Sequence, residues 1–374
     1  MTTLRVALIG GPQYDQVERC LGDFAQQTGV VVEVAFRADH PGLNRHLAGL
    51  LPSDHGYDLV STHSKYAPSQ ARWLTDLDGL VDTTAMAPAA LALCRPEGAL
   101  LCVPRNIDVR LLWGHRRMLG TADLPGTWTE LAEAAAKASG GAGVAFPGQE
   151  SGLFGTFFEL VVAEGGELFD EEARPRLTCD EAHFALSYLV GLHRQGLTPP
   201  DLPEWGYDDV ASGLRDARVA LAGDWPGYYA LMRASAAAGD IEVGRYPAGS
   251  ARRAVYSGCH GWAIPSRAPH RDEAVRLLAH LSAAASATTD AAQGMVPART
   301  DVALPATDEL DQRRNRLLSA TVAEDMITFP PLARYPEIEE AAWQALNQAL
   351  RGLCDVPEAL NRAQAVAEEA LRPH

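Results

Sequence analysis

The chain has 374 residues, 47% apolar and 21% charged, the balance of a folded globular protein rather than a disordered one. Single hydrophobic cores rarely outgrow roughly 250–300 residues, so two domains are the expectation. A net charge of −16 repels phosphate backbones and anionic lipid, which argues against a nucleic-acid partner and against tight docking on acidic membrane.

"LRVALIGG" (Leu4 to Gly11) is a short apolar run stopped by two glycines and reads as a buried strand. No apolar run reaches the roughly 18 residues that span a bilayer. Val6–Ile9 is too short for the core of a signal peptide, so the chain as written reads as cytoplasmic, or as the mature part of something longer. Val17, Cys20, Leu21 and Phe24 follow at i, i+3, i+4, i+7, an amphipathic helix closed by Gly29. Val30–Phe36 is a second strand, and "GYDLVSTHS" (Gly56 to Ser64) contains a third. This β-α-β-α-β rhythm means a parallel sheet, whose ligands sit beyond the carboxyl ends of the strands. Gly10–Tyr14 and Thr62–Tyr66 are therefore candidate ligand loops.

Two strand-like runs, Leu100–Val103 and Val109–Trp113, flank the polar insert Pro104–Asp108. Thr127 and Glu130 then make a T-x-x-E capping box, with Gly140, Gly141 and Gly143 as the expected stop of its helix. Strand, loop and helix follow over "GVAFPGQESGLFGTFFELVVAEGG", and Val219–Ala222 is a strand leading into the aromatic loop "DWPGYY". "VYSGCHGWAIP" is a loop running into an apolar strand. Ala274, Leu277, Leu278 and Leu281 mark a further helix, and the C-terminal third is helical.

Enzyme motifs do not emerge. "GGPQYDQ" lacks GxGxxG spacing and GK[ST], and HExxH and GxSxG are missing. The six cysteines (20, 94, 102, 179, 259, 354) form no CxxC, and His40, His46, His55 and His63 are not at ligand spacing. The expectation is no cofactor, no metal site and buried free thiols. Cys259 beside His260 is the one arrangement that suggests a nucleophile, although neighbours in a strand point to opposite faces.

The order of segments resembles the extracellular solute-binding proteins of ABC importers, in particular the group that binds maltodextrins and other oligosaccharides. "YDLVSTHSKYAPSQARWLTDLDGLVD" looks like that family's strand, ligand loop and L-x-x-L-D close. "CVPRNIDVRLLWGHRRMLG" followed by "LPGTWTELAEAAAK" looks like its first crossover and P-x-T-W-x-E-L helix start. "RVALAGDWPGYYALM", "SGCHGWAIPSRAPHRDEAVRLLAHL" and "GMVPART" look like three later family segments, in the same order. Each motif is weak alone; together they cover almost the whole chain. Where many relatives carry Tyr-Asn after the first crossover, this chain has Trp113 and Gly114.

The resemblance implies an α/β, two-lobed periplasmic-binding-protein-like (type II) fold with hinge crossovers and an interlobe ligand cleft. The expected lobes are 1–108 plus 262–312 and 109–261 plus 313–374. It implies a monomer that captures a small-molecule solute, a sugar or similar polyhydroxylated compound, and meets ABC transporter permease subunits if exported. A sugar site mixes flat rings with hydrogen-bonding groups. The candidates are Gln13, Tyr14, His63, Ser64 and Tyr66 in the first lobe, and Arg105, Asn106 and Asp108 at the crossover. Gln149, Glu150, Asp224, Trp225, Tyr228 and Tyr229 follow in the second lobe, and Cys259, His260 and Trp262 at the closing crossover. Other roles stay open: Trp225 and Trp262 as core, His63 as a solvated loop residue, Arg105 and Asp108 as a mutual pair, Glu150 as a helix cap. Two other readings are a cytoplasmic enzyme on the same fold, similar to thiaminase I with Cys259 as nucleophile, and a cytoplasmic ligand sensor.

Overall fold

The computed structural model describes residues 2–11, 14–53 and 56–372. In chain order the strands are β1 (Thr3–Ile9), β2 (Val31–Ala38), β3 (Leu59–His63), β4 (Val103–Pro104), β5 (Asp108–Val109), β6 (Leu111–His115), β7 (Ala142–Ala145), β8 (Val219–Asp224), β9 (Ile241–Gly244), β10 (Val255–Gly258), β11 (His260–Ala263) and β12 (Met326–Ile327). The chain divides into two units. The first comprises Met1–Asp108, Gly258–Pro305 and Pro331–Tyr335; the second comprises Val109–Ser257, Ala306–Pro330 and Pro336–His374.

The first unit is built on a five-stranded sheet ordered β2–β1–β3–β11–β4. β2 and β3 run parallel to β1, and β11 lies antiparallel between β3 and β4. Leu4, Val6 and Leu8 of β1 are fully buried. Helix Asp15–Thr28 buries Val17, Cys20, Leu21 and Phe24, the spacing read from the sequence, and Gly29 ends it with φ 74°. The chain rejoins this unit at Gly258 rather than 262, because His260–Ala263 pairs residue for residue with β3. It leaves at Pro305 rather than 312, and Pro331–Tyr335 belongs here too.

The second unit holds a four-stranded sheet ordered β7–β8–β6–β9, with β7 parallel to β8 and β6 antiparallel to both its neighbours. Helix Trp128–Lys137 opens with the expected box: Thr127 Oγ1 accepts from Glu130 N–H (3.2 Å), and Glu130 Oε2 accepts from Thr127 N–H (3.1 Å). Gly143 is not its stop. It lies inside β7, where a Cβ would meet the Ala135 carbonyl oxygen at 2.2 Å. The helix Glu150–Ala163 is buried on nearly every side, as its apolar sequence requires. Trp113 is buried against the ring of Tyr229, and a Cβ on Gly114 would collide with Leu124. Among the described residues no helix is long and apolar enough to cross a membrane.

Candidate functional site

In the first unit the ligand-loop rule for parallel strands collects several side chains at one sheet end. Tyr14 follows β1, His40 follows β2, and His63 ends β3. His260 opens β11 directly across from His63. The Tyr14 hydroxyl and His260 Nδ1 share a 2.7 Å hydrogen bond, and His260 Nε2 lies 3.2 Å from Asp108 Oδ2. Asn106 Nδ2 donates to Asp108 Oδ1 (2.8 Å), and Asn106 Oδ1 accepts from the His260 N–H (3.1 Å). The rings of Tyr14 and Trp262 meet edge-on at 6.1 Å. Burial pushes the Tyr14 phenol above its ordinary pKa.

Arg105 and Asp108 do not pair with each other. Arg105 donates from Nε and Nη2 to the two oxygens of Asp290, both at 2.7 Å, a buried fork-to-fork contact. Its guanidinium lies 4.4 Å from the Tyr14 ring centre and 5.8 Å from that of Trp262. Burial works against its charge, and Asp290 more than offsets this. Ser64 and Cys259 are occupied by strand pairing: Ser64 N–H donates to the Cys259 carbonyl (2.9 Å), and Ser64 Oγ accepts from the Cys259 N–H (3.0 Å). Cys259 is 0% exposed, its thiol pointing to the Ala90 carbonyl and interacting with Cys94, which in turn interacts with Cys102. Burial raises its pKa. The Cys259 thiol is therefore a core group, and among the described residues its partners are the Ala90 carbonyl and Cys94 rather than an imidazole. Tyr66 is buried, with the Lys65 ammonium 4.8 Å from its ring centre. Gln13 lies outside the described residues.

Two residues of this cluster were not anticipated. His40 stacks on His260 (ring centres 4.6 Å) and meets His63 edge-on at 4.7 Å. Lys65 was missed as well. The topological rule that selected Tyr14 and His63 applies equally to the end of β2 and would have selected His40. Linear spacing hid it.

The second unit carries its own cluster. Arg110 donates from Nε (3.1 Å) and Nη2 to Glu159, and from Nη1 to Thr156 Oγ1 (3.0 Å). Its guanidinium lies 5.1 Å from the Trp225 ring centre and 5.3 Å from that of Tyr246. Glu159 Oε1 also accepts from Tyr256 N–H (2.8 Å), and burial pushes its carboxyl up to about 7 despite Arg110. Trp225 is 9% exposed and meets Tyr207 and Tyr256 edge-on at 6.0 and 5.9 Å. Asp224 Oδ1 accepts from Trp225 N–H (2.8 Å), whereas Oδ2 is buried without a hydrogen-bond partner among the described residues. Burial raises the Asp224 carboxyl well above its ordinary range. Tyr228 donates to Asp208 (2.5 Å), Tyr229 to Asp311, and Gln149 Nε2 to the Glu204 carbonyl (2.7 Å). Glu150 begins its helix in a left-handed backbone, φ 55°, which a non-glycine residue adopts at a cost. Sequence reasoning missed Arg110 and Glu159, which read as ordinary strand and helix residues.

The two sheets define the class: an α/β protein of the type II periplasmic-binding fold. Three solved structures share it over essentially their whole length. Maltose-bound MalE3 of T. maritima is 22% identical, with a TM-score of 0.91 and coverage of 99% of this chain and 100% of that one. The GacH receptor of Streptomyces glaucescens, solved unliganded and with acarbose, is 20% identical (TM-score 0.85; 99% and 99%). A solute-binding protein of Agrobacterium radiobacter in complex with ribitol is 20% identical (TM-score 0.84; 98% and 98%). The family model for bacterial extracellular solute-binding proteins matches residues 21–314, and the chain belongs to that family.

Proposed function

We propose that the protein is the solute-binding component of an ABC importer, with a carbohydrate or polyol as its solute. The observation that carries this reading is the make-up of the two clusters. Each sets a forked, carboxylate-paired arginine against aromatic faces, Arg105 with Tyr14 and Trp262, Arg110 with Trp225 and Tyr246. Polar groups that fix hydroxyls beside rings that cover C–H faces suit a sugar. The sugar and polyol complexes of structural relatives point the same way.

This function places the protein outside the cytoplasmic membrane, where it meets the permease subunits. Three of the five chain crossings, at Asp108–Val109, Ser257–Gly258 and Pro305–Ala306, serve as the bending points of capture. Binding without a Cys259-centred reaction is the reading this supports: Cys259, the nucleophile of the enzymatic alternative, is buried with a raised pKa.

Calorimetry in chelator-containing buffer, against a panel of oligosaccharides, monosaccharides and polyols, tests the reading. One class should bind with one site per chain, and Trp225→Ala should weaken it about tenfold, the loss of about one aromatic face. No binding by any member, or an unchanged affinity in Trp225→Ala, would respectively remove the carbohydrate reading or the role of Trp225.

A further inference from the structure

We infer that His40, His63 and His260 form a binding site in the first unit for a borderline divalent transition-metal ion, Zn²⁺ foremost. One ligand atom from each of the three side chains lies within 4.8 Å of the others. They come from three different strand ends, so the grouping is a product of the sheet and not of a local motif. Tetrahedral zinc at 2.0–2.1 Å from nitrogen holds its ligand atoms about 3.4 Å apart. Small ring rotations, on the order of 1 Å at each nitrogen, therefore close the set.

Two observations favour a metal over a mere stack of imidazoles. His40 Nε2 is buried with no hydrogen-bond partner among the described residues. Such a nitrogen is costly unless something binds it. His260 has the outer support that metal-ligating histidines commonly have. Tyr14 holds Nδ1 and Asp108 faces Nε2, so an ion displaces one of these partners and the other stays to orient the ring. Two features work against the ion: the nearby Lys65 ammonium, which also disfavours charge on His40 and His63, and the Lys65 N–H that donates to His63 Nδ1 at 3.2 Å and gives way on metallation. Imidazoles rather than oxygens select Zn²⁺, Ni²⁺ or Cu²⁺ over Mg²⁺ and Ca²⁺.

The test uses the full chain without an affinity tag, stripped with chelator, dialysed and titrated with ZnCl₂ against a chromophoric competitor. The expected result is one Zn²⁺ per chain and no response to MgCl₂ or CaCl₂. Affinity should fall by more than about tenfold in each of His40→Gln, His63→Gln and His260→Gln, and stay unchanged in His183→Gln of the second unit. Co²⁺ should give the visible bands of a tetrahedral site in the unaltered protein. Absence of stoichiometric Zn²⁺ binding and of those bands overturns the proposal, even where a variant does not fold. Equal affinity in the three folded variants overturns it too. Because the saccharide panel is run in chelator, failure of the metal site leaves the carbohydrate reading standing, and the reverse holds.

Discussion

The two units solve one problem with different chemistry. Each buries a forked arginine–carboxylate pair against aromatic rings, and the two arginines stand five residues apart on either side of the crossing at Asp108–Val109. In the first cluster burial holds the His40 and His63 imidazoles neutral by keeping protons off. In the second it drives the carboxyls Glu159 and Asp224 toward the neutral form by keeping protons on. Both clusters lower the cost of buried charge, and acid pushes them in opposite directions.

The largest effects should come from breaking the pairs. Asp290→Ala and Glu159→Ala each leave a buried guanidinium unmatched, and each should lose about 3–5 kcal/mol in urea unfolding at pH 8. If only one does, the two pairs are not equivalent. A smaller, more discriminating contrast lies in two glycines. A Cβ on Gly258 would sit 2.1 Å from the His63 ring, a side chain that can turn, whereas one on Gly143 would sit 2.2 Å from the Ala135 backbone oxygen, which cannot. Gly258→Ala should cost about 1–3 kcal/mol, and Gly143→Ala should cost more.

Acid provides the third contrast. His40 and His63 fall well below their ordinary 6.5 in the folded chain, so the unfolded chain binds more protons and their contribution is lost as pH drops below 6.5. Glu159 rises from 4.5 to about 7, so the folded chain binds more protons and its contribution is lost as pH climbs through that window. Lowering pH from 7 to 5 should weaken amide protection in β3 and β11 and strengthen it in helix Glu150–Ala163, as hydrogen exchange would read. A uniform change in both would break the comparison. The smallest effect belongs to Cys259. Native protein should leave it unalkylated by iodoacetamide at neutral pH, and Cys259→Ala should cost about 1 kcal/mol.

What the sequence made legible follows the range of each interaction. The Thr127–Glu130 box and the Gly29 cap act within one helical turn and were readable from four residues. Tyr14 and His63 were found because β-α-β topology is local enough to infer. Strand geometry alone set Cys259 and His260 facing opposite ways, but not which one faces the core, and both stood as ligand candidates; the thiol goes to the core and the imidazole to the cluster. Asp108, the one partner weighed for Arg105 as an alternative to ligand contact, is not its partner; Asp290 is, and it lies 185 residues away, beyond any pattern. His40 was passed over for a different reason: its place after β2 falls under the same topological rule, but it was weighed only by its linear spacing from other histidines. The Arg110–Glu159 pair is equally silent, as neither residue sits in a loop that topology singles out.

The position of β11 has a consequence for how the chain is made. This strand sits between β3 and β4, yet Val103 of β4 must wait for Trp262, about 160 residues later, before it has a neighbour. At roughly 5–20 residues per second, a ribosome leaves that edge open for roughly 8 to 30 s. The N-terminal unit is thus begun first but waits for the chain to return from the second unit before its sheet is complete. During that interval Val103, buried in the finished sheet, lacks its strand partner, and a holding chaperone would find its natural grip there.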